Sequence, residues 1–473
     1  MRSYLSLFAA IGGMLSLGGC AAFSPDGGMG PVAKFTRAEL GKDVSAYRNE
    51  SEAAAARATV TRLLKRPLTA DGAVRVALLN NRGLQAAYED LGIAEAAMVG
   101  ASLPPNPTIS LMRLAGSGEV EIERRIVANI LVLATLPMRT EIAKDRFRQA
   151  QLRAIGETMQ TAAEARRAYY RAVATRETGA FLERAQTAAA TAAQLAKRLG
   201  ETGAMNKLDQ AREQVFYADV GSQVAAARQQ AVRERESLAR VLGLWGRDLS
   251  FRRPAKLPAL PARPRVRRTI ETDAIRRRID LQIARLDLDA LAKSHGLTEA
   301  TRFINLLDVA GVSKTVRPAE GDTTRQRGLE IEFQIPIFDF GEVRMREAEA
   351  TYRQAVNRLI EKAVNVRSQA REAYRGYRGA YDIARHFQRE VVPLRQIISD
   401  ETLLRYNAMQ IDVFSLLSEA RQRVAANVSG IEARRDFWLA DTNLHMAIAG
   451  MGPGAAEGGT STATVASAEP AGH

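Results

Sequence analysis

The chain has 473 residues, a formal net charge of +14 from 67 Lys and Arg against 53 Asp and Glu, and one cysteine. A single cysteine excludes an internal disulfide framework. The basic residues are interleaved with acids along every helical stretch, not gathered in a block or on an aromatic platform, which argues for solvated helix faces and against nucleic-acid binding.

Residues 1–19 read as a secretory signal: Arg2, an apolar run from Tyr4 to Leu17, then small residues before Cys20. Leu17-Gly18-Gly19-Cys20 resembles a bacterial lipoprotein signal. The resemblance implies that Cys20 is lipidated and becomes the new N-terminus, and that Ala21 after it directs the protein to the outer membrane. The alternative is an ordinary signal peptide that contains a cysteine. Residues 20–67 read as a Gly/Pro-rich tether followed by a helix from Phe35 to Leu64. No later stretch approaches the ~20 apolar residues of a spanning helix, so any crossing of a membrane must be made by strands.

Residues 68–249 form a first repeat. The spacing of Val74, Ala77, Leu78, Leu84, Ala87, Leu91 and Ala94 predicts one helix over 69–102, capped by Thr69 or Asp71 and stopped by Pro104-Pro105-Asn106-Pro107. Thr108–Leu114 and Glu119–Leu136 read as strands. The second alternates, with Val120, Ile122, Ile126 and Ala128 on one face and Glu119, Glu121, Glu123 and Arg125 on the other. Arg124 interrupts its apolar side. A helix from Met138 to Leu199, roughly 90 Å long, is expected to start after Pro137. Gly200-Glu201-Thr202-Gly203 is the turn, Asn206 a cap, and the return helix runs to Leu242.

Residues 250–268 are a Pro/Arg-rich linker, and 269–450 repeat the order. A helix is expected over 270–291, strands over 303–312 and 328–337, a long helix after Pro336 ending near Leu404, a turn over 405–410 and a return helix over 411–448. In the strand over 328–337, Leu329, Ile331, Phe333 and Ile335 face one way and Glu330, Glu332 and Gln334 the other. Residues 451–473 are small and polar and read as a disordered tail. Tyr169, Tyr170, Tyr374, Tyr377 and Tyr381 recur at helical spacing and read as packing residues. The fold class is mainly α with a small β part: helix, strand, strand, long helix and helix, given twice.

That order, together with Ala73-Val74-Arg75-Val76-Ala77-Leu78-Leu79-Asn80-Asn81, Leu103-Pro104-Pro105-Asn106-Pro107 and Gly328-Leu329-Glu330-Ile331 through Phe340-Gly341, resembles the TolC-like outer-membrane efflux proteins over residues 68–450. The resemblance implies a homotrimer. Each chain would supply four strands to a 12-stranded outer-membrane barrel and helical struts to a periplasmic tunnel that meets an adaptor protein and an inner-membrane pump. It implies an exporter of small molecules or metal ions, not an enzyme, with no cofactor. It places Gly200, Gly203, Tyr406 and Asn407 at adaptor-contact tips, and makes Asp412, Asp209, Asp400 and Glu401 candidates for an aperture. The family usually has Gly where Tyr406 stands. The plain reading of the tip glycines is conformational, and of Asp209 and Asp412 a helix-start acid. The alternative function is a periplasmic helical structural lipoprotein without a pore. No metal-ligand spacing, phosphate loop or nucleophile motif is present, and the four histidines are scattered.

Overall fold

The structure is a computed structural model that describes residues 22–116, 118–267 and 269–452. The leader, Cys20 and residues 453–473 lie outside the described residues. The first half contains α1 (Gly30–Leu40), α2 (Glu50–Leu64), α3 (Ala70–Asn80), α4 (Arg82–Ser102), β1 (Thr108–Gly116), β2 (Glu119–Asn129), α5 (Ile130–Glu201) and α6 (Lys207–Val241). The second contains α7 (Ile270–Arg277), α8 (Ile279–Ala300), β3 (Leu306–Pro318), β4 (Thr324–Gln334), α9 (Glu342–His386), α10 (Val392–Asn407) and α11 (Val413–Ala449). The duplicated order expected from the sequence is therefore the order observed.

Several expected boundaries move, each for a local reason. The helix expected over 35–64 is two: Gly41 ends the first at φ +62, and Asn49 starts the second by accepting from the Glu52 amide. The single helix expected over 69–102 breaks at Asn81, whose ψ of 116 is extended. Thr69 caps its start by accepting from the Gly72 amide, and Asp71 lies in the first turn. The helix expected over 270–291 breaks in the same way at Arg278, with ψ 126, and continues through Gly296. β2 stops at Asn129, whose side chain accepts from the Val132 amide and caps α5. Pro137 thus lies inside α5 rather than at a strand-to-helix junction, a correction to the expected start at Met138. Pro336 keeps its expected place after β4.

The two breaks serve one purpose. A helix C-terminus leaves its last carbonyls without intrahelical partners. At the first break Asn80 Nδ2 donates to the carbonyls of Leu242 (3.0 Å) and Gly243 (2.6 Å), and Asn81 Nδ2 to that of Val241 (2.9 Å), closing the end of α6. Gly243 has φ +65, and a Cβ there would lie 2.6 Å from the Asn80 carbonyl oxygen, so only glycine fits. At the second break the Ile279 amide donates to the Gly450 carbonyl just past α11. The carboxylate of Asp280 there accepts from the Gly452 amide and from buried Arg278.

Two compact units can be described. The first comprises residues 22–34, 87–154 and 281–362 of the described chain and holds the sheet. The strand order is β1-β2-β3-β4, every pair antiparallel, and β1 and β4 leave their outer edges unpaired. Register follows the alternation. Ile109 opposes Ile126, which opposes Gly311, which opposes Leu329; Ala128, Val309 and Ile331 form the adjoining row. These residues, with Leu111 and Phe333, make one apolar face, on which Ile109, Leu111 and Leu329 are more than 70% exposed. The other face carries Glu121, Glu123, Arg125, Lys314, Glu330 and Glu332. Arg125 bonds Glu330 at 2.6 Å, and Lys314 bonds Glu121 at 2.6 Å. Toward its helical end the sheet is thus apolar on one side and charged on the other.

The second unit comprises residues 35–86, 155–280 and 363–452 of the described chain and is helical. Its aromatic core joins Tyr377, Tyr381 and Phe437, with Trp438 stacked on Tyr170 at 5.3 Å. The tyrosines expected to pack do so, and they also hold the linker. Tyr381 donates to the carbonyls of Pro261 and Ala262, Trp438 Nε1 to that of Pro258, and Tyr377 accepts from the Arg265 amide. The second long arm is interrupted by a π-helical segment, Phe387–Val391. Pro393 has no N–H to give and crowds the preceding turn. The Val392 amide instead bonds back to Phe387, five residues away, which takes up the strain as a bulge.

Candidate functional site

The second unit brings together the two hairpin turns, 202–206 and 408–412, so that Gly200, Tyr406 and Asn407 lie in the last helical turns before them rather than in the turns expected over 200–203 and 405–410. Their junction is a cluster of Ala189, Phe216, Val220, Val413 and Leu417, with Met205 and Tyr406 packed against it. Of the four expected tip residues only Tyr406 reaches this core; the first hairpin contributes Met205, just beyond its expected turn.

The two turns superimpose in sequence once aligned on their helix caps. Asn206 caps α6 by accepting from the Asp209 amide at 2.9 Å. Asp412 caps α11 by accepting from the Ser415 amide at 2.9 Å and from its hydroxyl at 2.5 Å. Counting from the caps, Asp412 matches Asn206, and Asp209 matches Ser415. The two acids are therefore not equivalent positions. Hydrogen bonds from the Ser415 hydroxyl and amide hold the Asp412 carboxyl below the usual carboxylate range. Asp209 sits in the first turn of α6, bonded to Arg212 at 3.0 Å.

Gly200 matches Tyr406 on the same alignment. A Cβ at Gly200 would run into the Gln210 amide, whereas at Tyr406 the ring packs inward. Gly203, with φ +74, matches Met409, with φ +59. Most non-glycine residues pay about 1–2 kcal/mol to occupy the left-handed region. Met409 is also 94% exposed. The turn conformation that glycine provides at the first tip is thus imposed on a protruding methionine at the second. Asn407 ends α10 and is exposed.

Asp400 and Glu401 lie further back on α10 and are exposed. Asp400 accepts from Gln396 of its own helix. Among the described residues neither acid hydrogen-bonds to a turn, so four candidate acids do not form one cluster.

An apolar groove runs beside the turns, lined by Leu208, Val215, Phe414 and Leu417 and flanked by Arg212 and Arg421. Arg212 stacks over Phe414 at 5.0 Å; Arg421 covers Phe216 at 5.7 Å and bonds Asp219 at 3.2 Å. Leu208, Val215 and Phe414 are each more than half exposed. These residues escaped the sequence reading because they fall inside long helices whose periodicity gives both faces similar apolar content.

Buried glutamates also escaped it. Glu213 and Glu419 each stand seven residues beyond their cap, and both are buried. Glu419 is bonded to Arg395 at 3.1 Å. Glu213 has one carboxylate oxygen without a partner, and burial raises its pKa. The signal was the shared offset from the caps.

The sheet is the second component. Arg124 lies on the apolar face, opposite Leu111 and Ser313, as the alternation implied. It is not alone. Arg327 opposes Ser313 in the same row, and Arg113 and Arg325 stand in the next row toward the hairpin ends. Thr324–Arg327 belong to β4, although their polarity had suggested that the strand begins at Gly328. Among the described residues no helix is long and apolar enough to span a membrane, and no group of three or more His, Cys, Asp and Glu could hold a metal ion.

No protein-family model matches the sequence, and no curated protein matches it either. Solved structures do match by fold. The outer-membrane channel OprN superimposes with a TM-score of 0.67 at 18% identity, covering 91% of this chain and 97% of that one. CusC, whose crystal structures concern folding and transmembrane channel formation, gives 0.67 at 16% identity over 83% of this chain and 92% of its own. The outer membrane protein VceC of Vibrio cholerae gives 0.68 at 12% identity over 83% and 97%. The mainly helical chain fold with a small sheet, expected from the resemblance to TolC-like proteins, is the fold that this chain shares with those structures.

Proposed function

We propose that the chain is the outer-membrane channel of a tripartite efflux system, carrying small molecules or metal ions from the periplasm to the exterior. The observation that supports this most is the sheet. One face is apolar toward the helical end, the other carries every acid of the four strands, and two edges are unpaired. In lipid an unpaired edge leaves backbone amides and carbonyls unsatisfied, which costs several kcal/mol per group. Three copies edge to edge would make a closed barrel of twelve strands, apolar outside and polar within, as a water-filled pore needs.

In this reading Cys20 carries the lipid anchor. The hairpin turns with Gly200, Gly203, Tyr406 and Asn407 meet a periplasmic adaptor, and Met409 and the groove at Phe414 add to that contact. Strain kept at an exposed residue such as Met409 is characteristic of a surface retained for binding. Asp412 and Asp209 take part in closing the periplasmic aperture, with Asp400 and Glu401 lining its approach. Energy comes from an inner-membrane pump that the adaptor connects.

The test is single-channel conductance of the purified trimer in a planar bilayer. Stepwise currents are expected. Folded trimer that carries no current would instead support a periplasmic helical lipoprotein without a pore.

A further inference from the structure

We propose that the hairpin end of the apolar sheet face binds a membrane lipid whose headgroup carries phosphate. This rests on the reading of the sheet as a membrane barrel. Pairing register puts five arginines on that face: Arg124 and Arg327 in one row, Arg113 and Arg325 in the next, and Arg317 in the row beyond, opposite Val120. All five are exposed. Among the described residues none of the five makes an ion pair, although Arg125, one residue from Arg124 and on the opposite face, pairs with Glu330 and Glu332. No acidic residue of the four strands lies on the arginine face. Every strand acid, from Glu119, Glu121 and Glu123 to Glu330 and Glu332, lies on the other.

The segregation has a chemical consequence. Toward the helical end the same face is apolar, with Ile109, Ile126, Leu329, Ile331 and Phe333. A barrel wall that is greasy below and basic at its upper margin complements a lipid, with acyl chains on the former and an anionic headgroup on the latter. Rows on one face lie about 7 Å apart and neighbouring strands about 4.8 Å apart. Arg325 and Arg327 therefore stand one row apart on one strand, and Arg124 lies two strands from Arg327, a spacing that one large headgroup can bridge. Guanidinium keeps its charge at all physiological pH and matches phosphate through two parallel N–H donors, so phosphate is favoured over a zwitterionic headgroup. Arginines aimed at lipid are otherwise a cost that falls only near an interface, which is where this band would lie.

The test uses the full-length trimer in neutral detergent, first shown to conduct, and native mass spectrometry of bound lipid. The probes are a bisphosphorylated glucosamine-disaccharide lipid and the same lipid stripped of both phosphates. The wild type is expected to retain the phosphorylated form preferentially. With about fivefold per arginine near a membrane surface, Arg124→Gln/Arg325→Gln/Arg327→Gln should weaken retention roughly a hundredfold while conductance is kept. Equal retention of the two lipids by the wild type overturns the proposal, as does undiminished retention by a conducting variant. Displacement of the lipid by a tenfold excess of inorganic phosphate overturns it in favour of a free-anion site. If the variant does not fold, the wild-type comparison of the two lipids decides. A wild type that neither inserts nor conducts fails earlier, with the barrel reading itself.

Discussion

The break at Arg278 predicts a large and specific loss of stability. Arg278 and Asp280 have side chains only 2% and 5% exposed. The guanidinium makes two bonds to the carboxylate, at 3.0 and 2.6 Å, and a third to Gln369 at 2.6 Å. Asp280→Asn keeps the shape but removes the counter-charge from a cation that water cannot reach. Breaking such a pair from one side costs about 3–5 kcal/mol. The Gln369 bond survives, so the lower half of that range is expected. Urea unfolding in detergent, followed by far-UV circular dichroism, reads the change as a shift of midpoint at unchanged slope. Two controls separate burial from charge. Glu349→Gln, which breaks the exposed pair with Arg353, should cost about 1 kcal/mol or less. Arg278→Met/Asp280→Leu removes both charges and should recover most of the loss. An Asp280→Asn protein within about 1 kcal/mol of wild type, or a double variant as unstable as the single, would refute the reasoning.

Further outcomes follow from the same geometry. Asn80→Ala leaves the carbonyls at the end of α6 without their donor and should destabilise by about 2–3 kcal/mol, read by the same unfolding curves. Met409→Gly relieves the left-handed conformation and should stabilise by about 1 kcal/mol, while weakening adaptor binding in a pull-down if the protruding side chain is a contact. Glu213 has a raised pKa, so the unfolded chain loses this proton first as pH rises. Its contribution is present below about pH 4, the unfolded value, and is lost as pH climbs through the folded pKa. Glu213→Gln should therefore flatten that part of the stability–pH curve; an unchanged curve would contradict the assignment.

The sequence exposed most of the element order because long helices and alternating strands have strong periods. It also revealed the first hairpin cap, Asn206, but placed Asp412 inside a return helix starting at 411, whereas Asp412 is itself the cap of α11. Boundaries failed where one residue overrode the pattern. Asn129 ended β2 seven residues early by capping α5, and Pro137 proved tolerable inside a helix. Asn81 and Arg278 looked helical, and the breaks at these residues are tied to carbonyls distant in sequence, that of Val241 by the Asn81 side chain and that of Gly450 by the Ile279 amide. Charged residues hid the start of β4: Arg325 and Arg327 precede the strand expected over 328–337, yet they keep the phase of Leu329 and Ile331. At the tips, glycine flagged the first turn, but Met409 gave no sign of a left-handed backbone, because the fold and not the residue imposes it. The groove and the buried glutamates depend on which helix faces meet, which periodicity alone does not specify.

The central claim is that alternate residues of β4 face lipid and water. Spin labels placed one at a time from Leu329 to Phe333 in the reconstituted protein test it directly, by collision with oxygen, which concentrates in lipid, and with a polar nickel chelate, which stays in water. The account predicts oxygen access at 329, 331 and 333 and chelate access at 330 and 332, with a period of two. Uniform chelate access along the strand, or a period near 3.6, would contradict it.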